Sequence, residues 1–141
     1  MKAILYLSAA NRDITNEELK DIQSKAAKKN KALGISGYLY FDGTKFLQYI
    51  EGEEEKLLPL VKIIREDPRH TFLCETVENI EEARFPDWAM KNIQSLTLEL
   101  GLVEKTIIQT LSTFVDKGYS LDKNISRDLF KLMDHLKAVA F

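Results

Sequence analysis

Gln48 sits in the run Lys45-Phe46-Leu47-Gln48-Tyr49-Ile50, whose alternation is that of a β-strand. Successive strand residues point to opposite faces, so Phe46, Gln48 and Ile50 share one face while Leu47 and Tyr49 share the other. One face is therefore apolar except for a single amide. A buried amide without a partner costs about 1–3 kcal/mol, so something polar must meet it. A backbone carbonyl or a water would serve, and so would a ligand. Two more polar residues stand at inward positions. Tyr6 shares a strand face with Ile4 and Ser8, opposite Leu5 and Leu7. Asn30 continues the helical stripe of Leu19, Ile22 and Ala26, either as a C-cap or as an amide turned inward. An amide has distinct donor and acceptor ends. Exchanging those ends between two partners at low dielectric replaces one hydrogen-bond pattern by another, which is the chemistry of a two-state switch.

Bond-making chemistry lacks its residues. His70 and His135 are far apart and have no spaced third ligand, so no metal site is expected. There is no P-loop, nucleophile elbow or dinucleotide-binding glycine pattern. Cys74 is the only cysteine, which excludes a disulfide within the chain, fits a reducing compartment, and reads as a small apolar strand residue. The acidic run Glu51 to Glu55 reads as a solvated turn and helix start.

The elements that must position Tyr6, Asn30 and Gln48 follow from pattern. Residues 3–8 form a first strand. Thr15-Asn16-Glu17-Glu18 has capping-box spacing and opens a helix that runs to about Lys29. Residues 34–52, GISGYLYFDGTKFLQYIEG, are two strands joined at Asp42-Gly43, a dipeptide that supplies the positive φ values of a tight hairpin. Tyr38, Leu39, Tyr40 and Phe41 are apolar on both faces, so both faces of the sheet should be covered. A second helix spans about Glu54 to Glu66 with Leu57, Val61 and Ile64 inward. Pro59 would start or kink it. A fourth strand covers about Thr71 to Glu78. The charged connection Glu81-Glu82-Ala83-Arg84 leads to Trp88-Ala89-Met90 and a fifth strand ending near Leu96. Two amphipathic helices follow, about Val103 to Asp116 and Ile125 to Val139, broken at Gly118. Their stripes are Leu102, Ile107, Leu111, Phe114 and Val115, then Leu129, Leu132, Met133 and Leu136.

This order, β-α-β-β-α-β-β-α-α, is an α+β, ferredoxin-like sheet. Two helices cover one face and the C-terminal pair the other, with residues 1–96 as one unit and 97–141 as its extension. The chain has 141 residues, 45% hydrophobic and 30% charged, with a net charge of −2. That length suits one domain with a real core. The charge gives no basis for nucleic-acid binding, and Lys28, Lys29 and Lys31 read as a solvated helix end. The N-terminal apolar run is too short for a signal peptide, and no run approaches the roughly 20 apolar residues of a membrane span. A cytoplasmic protein is expected.

The same polar residues carry a family resemblance. Tyr6-x-Ser8, Asn30, Gly34-Ile35-Ser36-Gly37 and Phe46-Leu47-Gln48-x-x-Glu51-Gly52 are followed by Asp67-x-Arg69-His70 and Phe85-Pro86-Asp87-Trp88-Ala89-Met90. In this order and spacing, across residues 1–96, the chain resembles a BLUF domain, the flavin-binding blue-light sensor module. The C-terminal helix pair resembles the extension of short, single-domain members, which carry no attached enzyme.

The resemblance implies non-covalent FAD between the first two helices, its ring edge toward the sheet. Tyr6 would donate the photochemical electron and proton. Gln48 would bond both Tyr6 and the flavin N5/O4 edge, and Asn30 the pyrimidine side. Ile22 and Ile64 would wall the ring, with Phe46, Asp67 and His70 also at the cofactor. Trp88 and Met90 would sense the Gln48 change. Ile63 stands where some members have an arginine near the ribityl-phosphate chain, and Lys29, Arg65 or Arg69 would replace that charge. The implied function is a non-enzymatic photoreceptor, a homo-oligomer signalling to a downstream protein of unknown identity through the helix pair. A flavin or metabolite-binding regulator without photochemistry is the alternative, which would not require Tyr6 together with Gln48. A ferredoxin-like enzyme lacks its phosphate loop after strand one, where residues 9–14 read AANRDI.

Overall fold

The computed structural model describes residues 1–87, 91–92 and 98–140, with side chains over 1–87 and 103–135. Its elements are β1 (Lys2–Ala10), α1 (Asn16–Leu33), β2 (Ser36–Phe41), β3 (Lys45–Gly52), α2 (Glu54–Arg65), β4 (His70–Asn79), β5 (Lys91–Asn92), α3 (Leu98–Lys117) and α4 (Lys123–Ala140). The sheet order is β4-β1-β3-β2-β5. β1 lies antiparallel to both β3 and β4, β2 antiparallel to β3, and β5 parallel to β2. Each of α1 and α2 crosses over an intervening strand, and the shared right-handedness of such crossovers puts both on one face. The architecture is α+β and ferredoxin-like.

The alternation expected in β1 and β3 holds. Ile4, Tyr6, Phe46 and Ile50 pack with Leu19, Leu57, Leu60 and Val61 on the α1/α2 face. Leu5, Leu7, Leu47 and Tyr49 pack on the other face with Ile107, Leu111, Leu129, Phe130 and Met133 of α3 and α4. Cys74 packs against that second cluster. Leu132, expected inward, is exposed, and Phe130 takes its place in the core. Trp88, Met90, the side chains of Leu102 and Leu136, and the boundary at residue 96 lie outside the described residues.

Local chemistry sets the boundaries. Thr15 Oγ1 accepts from the Glu18 amide at 3.1 Å, the first half of a capping box. The Glu18 carboxylate turns instead to Arg12 at 2.9 Å. α1 runs past Lys29 to Leu33, because Gly34 adopts φ 68° and ends it. The Ile35 amide donates to the Asn30 carbonyl at 2.8 Å and the Gly34 amide to Lys31 at 3.3 Å, a Schellman pair. α3 ends in the same pair of bonds, Tyr119 to Phe114 and Gly118 to Val115. At the hairpin only Gly43 takes positive φ. Asp42 contributes as an acceptor, its Oδ1 bonding the amides of Thr44 at 2.8 Å and Lys45 at 2.7 Å. Pro59 neither starts nor ends α2 but lies inside it. A lost helical bond there costs about 3 kcal/mol. Burial of Leu57, Leu60 and Val61 offsets this at roughly 1.5–3 kcal/mol each.

The register between β1 and β4 shifts between Leu7 and Ser8, so Leu7 faces Cys74 while Ser8 faces Phe72. This bulge lets Leu73 and Cys74 both pack on the α3/α4 side. Phe72 and His70 are thereby brought to the α1/α2 side.

Candidate functional site

A cavity of about 210 Å³ opens between α1, α2 and the sheet. Its walls are apolar: Ile22 and Ala26 from α1 face Leu60, Ile63 and Ile64 from α2. Its floor is Tyr6, Leu39, Phe46, Gln48 and His70. Tyr6 and Gln48 are register partners across β1 and β3, and Leu39 is the partner of Gln48 on β2. Gln48 therefore stands in the middle of the floor with Tyr6 directly beside it.

Tyr6 is 2% exposed. Its ring stacks on Phe72 at 4.2 Å between centroids. Burial, and after it the negative charge of Asp67, push the Tyr6 phenol well above its ordinary value of 10.0. The neutral hydroxyl is thus strongly favoured. Asn30 is also buried on the cavity wall. Of its two open alternatives the C-cap is the wrong one, since Gly34 ends the helix, and Asn30 is among the residues lining the cavity.

His70 is held at both nitrogens, Nε2 at 2.6 Å from the Ile64 carbonyl and Nδ1 at 2.8 Å from Ser8 Oγ. A carbonyl only accepts, so Nε2 carries a proton. The ring ties the end of α2 to β1 beside Tyr6.

Charge gathers at the mouth, where Lys25, Lys29, Asp67 and Arg69 line the rim. Arg69 closes a fork on Asp67, Nε at 3.0 Å from Oδ1 and Nη2 at 2.6 Å from Oδ2. That bond, outweighing partial burial, holds the Asp67 carboxyl below its ordinary range. Arg65 is turned elsewhere, 2.5 Å from Glu75 and over the Phe72 ring.

Ten of the eleven residues expected to contact the cofactor therefore meet around one cavity: Tyr6, Ile22, Lys29, Asn30, Phe46, Gln48, Ile64, Asp67, Arg69 and His70. Arg65 is not among its lining residues, and Trp88 and Met90 lie outside the described residues. Leu39, Leu60 and Lys25 join the lining unannounced; strand alternation would have given Leu39. Glu51 corrects the sequence expectation most sharply. It is no solvated turn residue but fully buried, accepting from Ser36 Oγ, Tyr49 Oη and the amides of Arg84 and Phe85. Arg84, at the end of the charged connection, is also buried, 7% exposed.

An apolar slot with inward amides and a basic rim fits a planar ring that has apolar faces, a polar edge and an anionic tail. Among the described residues no helix is long and apolar enough to cross a membrane.

Comparisons with known proteins point to one family. A photoactivated adenylate cyclase subunit alpha of Euglena gracilis is 32% identical over 136 residues, covering 92% of this chain and 13% of that protein. The chain spans 8% to 21% of the length of the curated relatives it matches. A bacterial light-regulated adenylyl cyclase structure superposes with a TM-score of 0.66 at 32% identity, over 79% of this chain and 34% of that one. BlsA in its photo-activated state also gives 0.66, at 25% identity, over 94% of this chain and 95% of that one. The family described as sensors of blue-light using FAD matches residues 1–91, well over half the sequence, and the chain belongs to this BLUF family.

Proposed function

We propose that the chain is a blue-light photoreceptor that binds FAD non-covalently and signals through a hydrogen-bond rearrangement at Tyr6 and Gln48. The observation that carries this is the placement of Tyr6 and Gln48 as direct neighbours on the floor of an apolar slot.

A bound flavin would supply blue-light absorption and a ring edge bearing N5 and O4. Ile22 and Ile64 would flank the ring, Asn30 would hold its pyrimidine side, and Phe46 and His70 would close the floor. With Arg69 committed to Asp67, Arg65 to Glu75 and Lys25 to Asp21, Lys29 is, among the described residues of the rim, the cation left for the phosphates. Tyr6 holds its proton on Oη in the dark because burial disfavours phenolate. It is the residue placed to give up an electron and that proton together. Gln48, between Tyr6 and the ring edge, exchanges its donor and acceptor ends, by rotation or tautomerisation, when Tyr6 changes charge. Each pattern is one state of a switch whose populations light alters.

Output would pass to a downstream protein through the surface that α3 and α4 build, with Trp88 and Met90 as sensors of Gln48 and with no catalysis in this chain. The test is spectroscopic. The purified protein should be yellow, acid should release FAD, and blue light should produce a reversible red shift. A colourless protein that cannot be reconstituted with FAD, FMN or riboflavin would end this reading. A flavin without any shift would favour a regulator without photochemistry.

A further inference from the structure

On the far side of the sheet from the cavity, a buried chain of polar groups runs from β2 to α4. Ser36 Oγ donates to Glu51 Oε1 at 2.9 Å, and Tyr49 Oη donates to Glu51 Oε2 at 2.6 Å. The same two oxygens accept the backbone amides of Phe85 and Arg84 at 2.8 and 2.9 Å. Arg84 Nη1 donates back to Tyr49 Oη at 3.0 Å, while its Nε reaches Asp134 of α4 at 2.6 Å and Nη2 reaches Glu78 at 3.2 Å. The guanidinium lies 5.9 Å from the Tyr49 ring and 5.3 Å from the Phe130 ring of α4.

We infer that Tyr49, Glu51 and Arg84 form a coupler that makes the position of α4 follow β3. They are positioning residues for the signal, acting through one another and touching no part of the cavity. The inference rests on the photoreceptor reading only for what drives β3. Gln48 and Tyr49 are consecutive on that strand and face opposite sides, so one backbone carries both the switch and the coupler. Glu51 accepts two bonds at each oxygen, and its carboxylate is fully buried. A shift of β3 against residues 84–85 therefore breaks bonds that water cannot replace. The 84–85 loop moves with the strand, and Arg84 carries the movement to Asp134 and Phe130. Asp134, more than half exposed, is the weak link where α4 can let go.

Hydrogen exchange of the full chain in the dark tests the coupler. Tyr49→Phe removes one hydroxyl on β3, which among the described residues reaches α4 through Arg84. Exchange in residues 123–135 should quicken about fivefold or more, with α3 little changed. In an Asp134→Ala background the same Tyr49→Phe change should have a clearly smaller effect on α4, because the Asp134 link is already cut and the Phe130 contact alone remains. An unchanged α4, or an equal effect in both backgrounds, overturns the inference. In the light, Asp134→Ala should keep the wild-type flavin red shift but lose at least half of the light-minus-dark difference in α4. Asp134→Glu should restore it. Equal differences in wild type and Asp134→Ala overturn the inference while leaving the photoreceptor standing. A wild type with no spectral shift removes the photoreceptor reading instead, and the dark measurement still decides the coupler.

Discussion

Tyr6 and Gln48 are register partners in the antiparallel pair of β1 and β3, on the face that looks into the α1/α2 cavity. Side chains so paired have Cβ atoms about 4.5–5.5 Å apart, within hydrogen-bonding reach for a phenol and an amide. Tyr6→Phe keeps the ring that stacks on Phe72 and removes only the hydroxyl. It should retain flavin with affinity within about tenfold of wild type, or about 1.4 kcal/mol, and lose the reversible red shift. Gln48→Ala should likewise bind flavin and lose the shift. Light-minus-dark difference spectra decide; a wild-type shift in either variant would sink the switch.

Lys29 and Arg69 stand on the same rim but are not equivalent. Arg69 is forked onto Asp67, so its charge is already matched, whereas Lys29 is exposed at the mouth. Lys29→Ala should weaken FAD binding about fivefold, the ~1 kcal/mol of an exposed ion contact. Riboflavin, which has no phosphate, should bind as before. Titrating both ligands into the apo protein separates the cases, and an equal loss for both would place the Lys29 contribution at the ring rather than the phosphates.

How much of this was legible in the sequence depends on how local each cause is. The opposite faces of β1 and β3 follow from period-two alternation within one strand, so Tyr6 and Gln48 could each be turned toward the helix layer before any coordinates, while their contact was implied by the family resemblance alone. Asn30 was ambiguous because its role turns on whether Gly34 takes the left-handed conformation. Phe72 reaches Tyr6 through a bulge at Leu73-Cys74, which no spacing pattern announces. Glu51 was misread because Glu51-Gly52-Glu53-Glu54-Glu55 looks like a solvated run. Its two amide donors come from residues 84 and 85, more than thirty positions away. Local polarity carries no trace of such a partner.

Gly37 and Tyr49 fix how closely β2 approaches β3. A Cβ on Gly37 would lie 2.0 Å from the Tyr49 carbonyl oxygen, and the residue's φ of 154° already disfavours a side chain. The obstacle is backbone, so relief requires the two strands to separate. Gly37→Ala should destabilise the fold by about 2–4 kcal/mol, read from the urea midpoint. It should also loosen the flavin, because Leu39 and Gln48 sit on those strands. A change below ~0.5 kcal/mol, the scatter of ordinary surface substitutions, would mean that the approach is not tight.

Glu104 and Tyr38 meet where α3 lies on the sheet, the hydroxyl 3.1 Å from Glu104 Oε2 and 2.9 Å from Met133 Sδ. Glu104 is fully buried, and among the described residues its Oε1 has no hydrogen-bond partner. Burial pushes the carboxyl up to about 8, against an ordinary value of 4.5, and the Tyr38 bond only partly opposes this. Between those two values the unfolded chain has released the proton while the folded protein still holds it. The unfolded state then binds fewer protons, so stability falls as pH rises through this window and levels off above it. The slope cannot exceed about 1.4 kcal/mol per pH unit. Glu104→Gln keeps the shape and cannot ionise. Its stability relative to wild type should therefore improve by more than ~1 kcal/mol between pH 5 and pH 8.5. Urea unfolding of both proteins across that range reads the difference directly. Parallel stability curves would show that Glu104 is ionised in the fold, and that the contact of α3 with Tyr38 is not held by a protonated carboxyl.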